Sequence, residues 1–187
     1  MAAFVFFLGC LACCGSIVIY SLLLGISPMP SSKKAKEAIL KLLPKKMAGE
    51  TIYELGSGWG GLALKLAKLH PDARVVAYER SPIPYFVSIA RKHLLRRNNL
   101  TILRKNFFGQ NLTDAKAVVC YLFPKAMRQL SRKLQKELPE NCTVISNLFA
   151  LEGWESGESF YLDDWGATPI YRYRPKSSCS KVSRPLH

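Results

Sequence analysis

The residues able to do chemistry are concentrated in one stretch. Glu54 stands two positions ahead of Gly56, and Ser57, Gly58, Trp59, Gly60 and Gly61 come directly after it. Glycines at this density permit a tight turn and let a ligand approach the backbone closely. Gly56 to Gly61 also satisfies the GxGxxG pattern of dinucleotide sites. An acid at Glu54, however, is poorly placed for a pyrophosphate and well placed for a ligand carrying an ammonium group. No GK[ST] lysine comes after the loop, which argues against a nucleoside-triphosphate site. A second acid, Glu79, stands at the end of the next apolar run, where a carboxylate can accept both hydroxyls of a ribose.

S-adenosyl-L-methionine combines an ammonium, a sulfonium and an adenosine, and has no phosphate. Glu54, Gly56, Ser57, Gly58, Gly60 and Glu79 are therefore read as its binding residues. Asn106, after a third apolar run, stands where a polar contact to adenine is expected; capping its own loop is the competing role. A dinucleotide-dependent dehydrogenase would need a substrate domain as well, and 187 residues leave no room for one. The six cysteines show no metal-ligand spacing, and no metal is called for.

The elements that must hold these residues alternate along the chain. Strands are expected at 51–55, 74–79, 100–104, 117–122 and 142–147, with a closing pair at 160–162 and 170–173. Helices are expected at 33–43, 61–69, 84–97 and 125–138, the last with Met127, Leu130, Leu134 and Leu138 on one side. Alternation of this kind builds a mostly parallel sheet covered on both faces, with ligands at the carboxyl ends of the strands.

Residues 1–32 carry no charged side chain, and Ala2 to Ile26 is almost wholly apolar or small. That length suits one helical membrane span. Lys33, Lys34 and Lys36 come only after it, so a cleaved signal peptide with a basic start is disfavoured. The positive-inside rule places the chain from Lys33 onward on the cytoplasmic side, with a bacterial inner membrane preferred to a mitochondrial one. The expected division is an anchor at 1–27, a linker and basic amphipathic helix at 28–46, a catalytic domain at 47–174 and a tail at 175–187. Between 33 and 138 there are 22 Lys and Arg against 7 acids. Such a surface suits anionic lipid beside an anchor; nucleic acid is the weaker alternative.

The run Glu54-Leu55-Gly56-Ser57-Gly58-Trp59-Gly60 resembles the first motif of class I, seven-strand methyltransferases. With the apolar start, the basic helix, Val119-Cys120-Tyr121-Leu122-Phe123-Pro124, Val144-Ile145-Ser146-Asn147 and Gly153-Trp154, the chain is similar to small membrane-anchored protein-lysine methyltransferases. These include the mitochondrial group acting on the ATP synthase c subunit and the adenine nucleotide carrier, and bacterial relatives. The likeness covers about 30–174. It departs from that group at Trp59 and Asn106, where acids are usual. It implies an α/β, Rossmann-like seven-strand sheet preceded by one transmembrane helix, and an enzyme that methylates a lysine of a membrane or membrane-proximal protein; a monomer is expected.

Methyl transfer from a sulfonium to an amine is an in-line displacement with a neutral leaving group, so alignment and electrostatics carry it. The acceptor lysine must be deprotonated, which an apolar slot favours. Tyr121, Phe123 and Pro124 are the candidates for that slot; plain core packing is the competing role for Tyr121 and Phe123. None of the three histidines suits a general base. Trp154, Tyr161, Trp165 and the acids between Glu152 and Asp164 are candidates for a rim, with a solvated loop as the simpler account. Two further readings stand beside a lysine methyltransferase: an RNA methyltransferase using the basic surface, and a non-catalytic donor-binding adaptor.

Overall fold

The computed structural model describes residues 31–154, 157–164 and 166–175, together with Met1, residues 4–8 and the single positions 11, 15 and 19. The chain forms one seven-stranded sheet. Its strands are β1 (Thr51–Leu55), β2 (Arg74–Tyr78), β3 (Leu100–Leu103), β4 (Ala115–Cys120), β5 (Thr143–Asn147), β6 (Glu158–Tyr161) and β7 (Pro169–Tyr173). The helices are α1 (Lys33–Leu42), α2 (Gly61–Leu69), α3 (Pro82–Leu94) and α4 (Pro124–Glu137). The strand order is β3-β2-β1-β4-β5-β7-β6. The first five strands pair in parallel, and β7 pairs antiparallel with both β5 and β6. The order reverses between β1 and β4, which opens a crevice at their carboxyl ends.

Period-2 alternation divides the core. Ile52 on β1 joins Val75, Ala77, Ala117, Val119 and Ile145 under α1, α2 and α3. Tyr53 and Leu55 join Val76, Tyr78, Val118 and Val144 on the opposite face, under α4. Glu54, two residues beyond Ile52, shares the α1–α3 face. The Met127, Leu130 and Leu134 stripe of α4 is fully buried, as its helical spacing requires.

Most boundaries differ from the sequence expectation by one to three residues, and two elements show why. Strand β4 ends at Cys120, so Tyr121 and Leu122 lie beyond it, in the loop before α4. Helix α3 starts at Pro82 and stops at Leu94, because Arg96 adopts a left-handed φ of 50° and turns the chain. The basic helix α1 is also no mere linker: Ala35, Ile39, Leu43 and Met47 belong to the core. Ser32 caps it by accepting from the Ala35 N–H at 3.0 Å. Among the described residues no helix is long and apolar enough to cross a membrane. The expected span falls mostly outside those residues; within it, residues 4–8 are helical, and Phe4, Val5, Phe6, Phe7 and Leu8 are exposed. Trp165 and most of the expected tail also lie outside the described residues.

Candidate active site

The glycine turn joins β1 to α2 at the crevice. The Gly56 and Ser57 N–H groups both donate to the Tyr78 carbonyl, at 3.0 and 2.9 Å, which staples the turn to the end of β2. Gly56 has φ 79°, and a Cβ there would lie 2.9 Å from the Leu122 side chain. Gly60, the N-cap of α2, has φ 71°, and its Cβ would meet Ser88 of α3 at 2.7 Å. At Gly58 a Cβ would have nothing within 4 Å, so the middle of the turn borders open space. Arg91 of α3 donates from Nη1 to the Trp59 carbonyl at 2.7 Å and holds the outer edge of the loop.

Glu79 lies just past β2 and is 8% exposed. Its Oε2 accepts from the Gly58 N–H and its Oε1 from the Ser81 N–H, each at 2.7 Å. Each oxygen keeps a second lone pair, so the carboxylate both shapes the turn and can still receive a diol.

Glu54 is 6% exposed, and its Oε2 has no hydrogen-bond partner among the described residues. Burial pushes its pKa up to about 8; the charge of Glu79 adds to this, while the Ala63 N–H and Lys36 oppose it. A buried acceptor left unpaired is costly, and a cationic group placed beside it would relieve that cost and ionise it. The Ser57 hydroxyl is likewise buried and unpartnered.

Asn106 is exposed and does cap its loop: its Oδ1 accepts from the Phe108 N–H at 3.2 Å, which leaves the amide nitrogen for another partner. Tyr121 and Phe123 are half-buried and Pro124 is exposed at the start of α4. They come after β4, the neighbour of β1, and so border the same crevice. Trp154 packs edge-on against Tyr173, which makes it part of the core's margin, whereas Tyr161 is exposed. Two groups near the site are given no site role by the sequence reading. Asn147, at the end of β5, is buried with Oδ1 unpartnered, and its Nδ2 donates to Ser31 at 3.4 Å. Lys36 of α1 reaches the start of α2, where a Cβ on Gly61 would lie 3.1 Å from its Nζ. The only trace of Lys36 in the sequence is its place on the helix, beside the buried Ala35 and Ile39 stripe.

The sheet order, the glycine turn at the switch point and the two acids define a methyltransferase of the Rossmann-like, seven-strand class. Within that class the chain belongs to the ANTKMT methyltransferase domain family, which matches residues 54–158. It is 26% identical over 140 residues to a protein-lysine N-methyltransferase of Saccharolobus islandicus, covering 73% of this chain and 84% of that one. It is 32% identical over 133 residues to the adenine nucleotide translocase lysine N-methyltransferase of Mus musculus, covering 67% of this chain and 54% of that one. The chain thus spans about half the length of the mouse relative. A solved RNA methyltransferase from Salinibacter ruber in complex with S-adenosyl-L-homocysteine shares the fold, with a TM-score of 0.69 at 20% identity, over 84% of this chain and all of that one. The cofactor is S-adenosyl-L-methionine. The residues present fit it: an unpartnered buried acid for an ammonium, a second acid for a ribose, and open space over Gly58.

Proposed function

We propose that this protein transfers a methyl group from S-adenosyl-L-methionine to the side-chain amine of a lysine on a membrane or membrane-proximal protein. One observation carries the donor half: the unpartnered, buried Glu54 at the carboxyl end of β1, beside a glycine turn. The acceptor half is supported by the lysine-modifying activity named for the two relatives. The bound cofactor supplies an electrophilic methyl on a sulfonium. Glu54 holds the ammonium at one end, and Glu79 receives the ribose hydroxyls. Phe123 and Pro124 line the approach of the acceptor and exclude water from it. An amine held there loses solvation of its charged form, which favours the neutral nucleophile. Alignment then replaces the entropy that a bimolecular encounter would cost.

The apolar segment 2–26 and the lysines after it are the basis for placing the enzyme on a membrane with its catalytic domain on the cytoplasmic side. Tethering raises the effective concentration of substrates in the same bilayer. The test is methyl labelling of membrane fractions with tritiated donor, using the wild-type chain and Glu54→Ala. Label on protein, lost with protease treatment and absent with the variant, is the expected result; mass spectrometry then locates the modified residue. Label released by nuclease would replace the lysine reading with an RNA one. Donor binding without label on any fraction would reduce the protein to a binding module.

A further inference from the structure

Lys36 occupies a place that its own charge disfavours. Its Nζ lies at the first residue of α2, so close that a Cβ on Gly61 would stand 3.1 Å from Nζ and 3.5 Å from Cε. A helix N-terminus carries unpaired N–H groups and a partial positive charge. An ammonium there meets the same sign. Lys65 of α2 and Arg91 of α3 add further positive charge: both push the Lys36 pKa down, after burial, and Glu54 alone opposes them. No carboxylate among the described residues lies within ion-pair distance of Lys36. Three cations and a helix N-terminus therefore gather around a single acid, Glu54, whose Oε2 is buried and unpartnered, and leave an excess of positive charge.

Opposite charges with unmet partners, side by side, are the complement of a zwitterion. The donor's methionine end is one, with an α-ammonium and an α-carboxylate on a single carbon. We infer that Lys36 binds the α-carboxylate of the methyl donor while Glu54 binds its α-ammonium, so that α1 closes the amino-acid end of the site. This rests on the proposed role of the crevice as a methyl-donor site. It also accounts for the packing of α1. Ser32 caps the helix, Asn147 donates to Ser31, and Ala35 and Ile39 enter the core, which together fix Lys36 over the turn. Gly61 bears no side chain where the lysine must pass.

The experiment is titration calorimetry on the full-length chain in detergent, with two ligands. S-adenosylhomocysteine carries both amine and carboxylate; its decarboxylated analogue keeps the amine alone. Lys36→Met preserves the stem and removes the charge. It is expected to weaken S-adenosylhomocysteine about 10- to 100-fold, the range of a lost charge-assisted hydrogen bond, and to leave the analogue unchanged. Lys36→Arg should restore most of the loss. Equal weakening of both ligands would mean that Lys36 only supports the fold, and no weakening of either would mean that it does not touch the donor; each overturns the inference. Wild-type chain that binds neither ligand would instead overturn the donor site itself, and this inference with it.

Discussion

The Gly58 N–H donates to Oε2 of Glu79 at 2.7 Å, so the acid proposed to receive the ribose also fixes the glycine turn. The second oxygen accepts from the Ser81 N–H at the same distance, tying the start of α3 into the arrangement. Glu79→Ala therefore removes two charge-assisted bonds as well as the proposed ligand contact. Donor affinity should fall by about 100-fold or more, and Glu79→Gln, which can replace at most one of the accepted bonds, should fall between the two. Calorimetry measures both. If Glu79→Ala binds the donor like the wild type, the diol is held elsewhere.

As the proposed ammonium-binding group, Glu54 should make donor binding dependent on pH. Burial raises its folded pKa to about 8, above the ordinary carboxylate range. The folded chain holds this proton more tightly than the unfolded chain does, so the free protein loses stability as pH rises from about 4.5 to about 8. A cationic ligand needs the ionised form, so donor affinity should rise with pH across that window, by up to about tenfold per unit. Binding at pH 6.5 should release close to one proton, visible as a dependence of the calorimetric enthalpy on buffer. Glu54→Gln should abolish that dependence. A wild-type enthalpy that is the same in every buffer would contradict the assignment.

Most of the sheet was legible in the sequence because its strands are short apolar runs bounded by turn residues, and every expected strand appears within about two residues of its place. The placement of the glycine turn and its two acids was legible for a similar reason: it follows from local backbone geometry and from their position at strand ends. Lys36 was not. Its placement depends on where α1 docks, and that is decided by contacts such as Asn147 to Ser31, 116 residues apart, which no periodicity records. Arg91 was hidden in the same way, as one cation in a basic helix, until its bond to Trp59 placed it on the loop. The end of β4 was misjudged because Tyr121 and Leu122 continue an apolar run that the backbone leaves at Cys120.

Gly60 offers a purely steric test. Its φ of 71° suits glycine, and a Cβ would lie 2.7 Å from Ser88 Cβ, which is fully buried. Gly60→Ala should cost about 1–2 kcal/mol for the left-handed backbone and about 1–3 kcal/mol more for the clash. Because the contact is with Cβ, Ser88→Ala should not relieve it, whereas Ser88→Gly should recover part of the second cost. Urea denaturation of the single and double variants reads each contribution. A Gly60→Ala chain as stable as the wild type would refute the packing described.

The other end of β1 separates scaffold from site. Asp114 accepts from the Tyr53 hydroxyl at 2.7 Å and from the Thr51 hydroxyl at 3.1 Å, on the edge away from the glycine turn. Tyr53 is 6% exposed, so Asp114→Ala leaves a buried hydroxyl without its partner and should cost about 1–3 kcal/mol of stability. Donor affinity should not change. A stability loss accompanied by a matching loss of affinity would show that the strand transmits strain along its length.

Phe123 tests the acceptor slot. It is half-buried just beyond β4, next to Pro124, and the residues proposed to hold the donor lie across the crevice, on β1 and just past β2. If its ring desolvates the incoming lysine, it lowers that amine's pKa and enlarges the neutral fraction near pH 7. Phe123→Ala should then leave the donor Kd unchanged while lowering kcat/KM for the acceptor about 10-fold or more, and the limb of the pH–rate profile that reports amine ionisation should move to higher pH. A ring that merely fills the core would behave differently: the variant would unfold more easily, and the remaining folded enzyme would keep its profile. The shift in the profile decides between the two, because a change in folded fraction scales the rate at every pH within the stable range and moves no pKa.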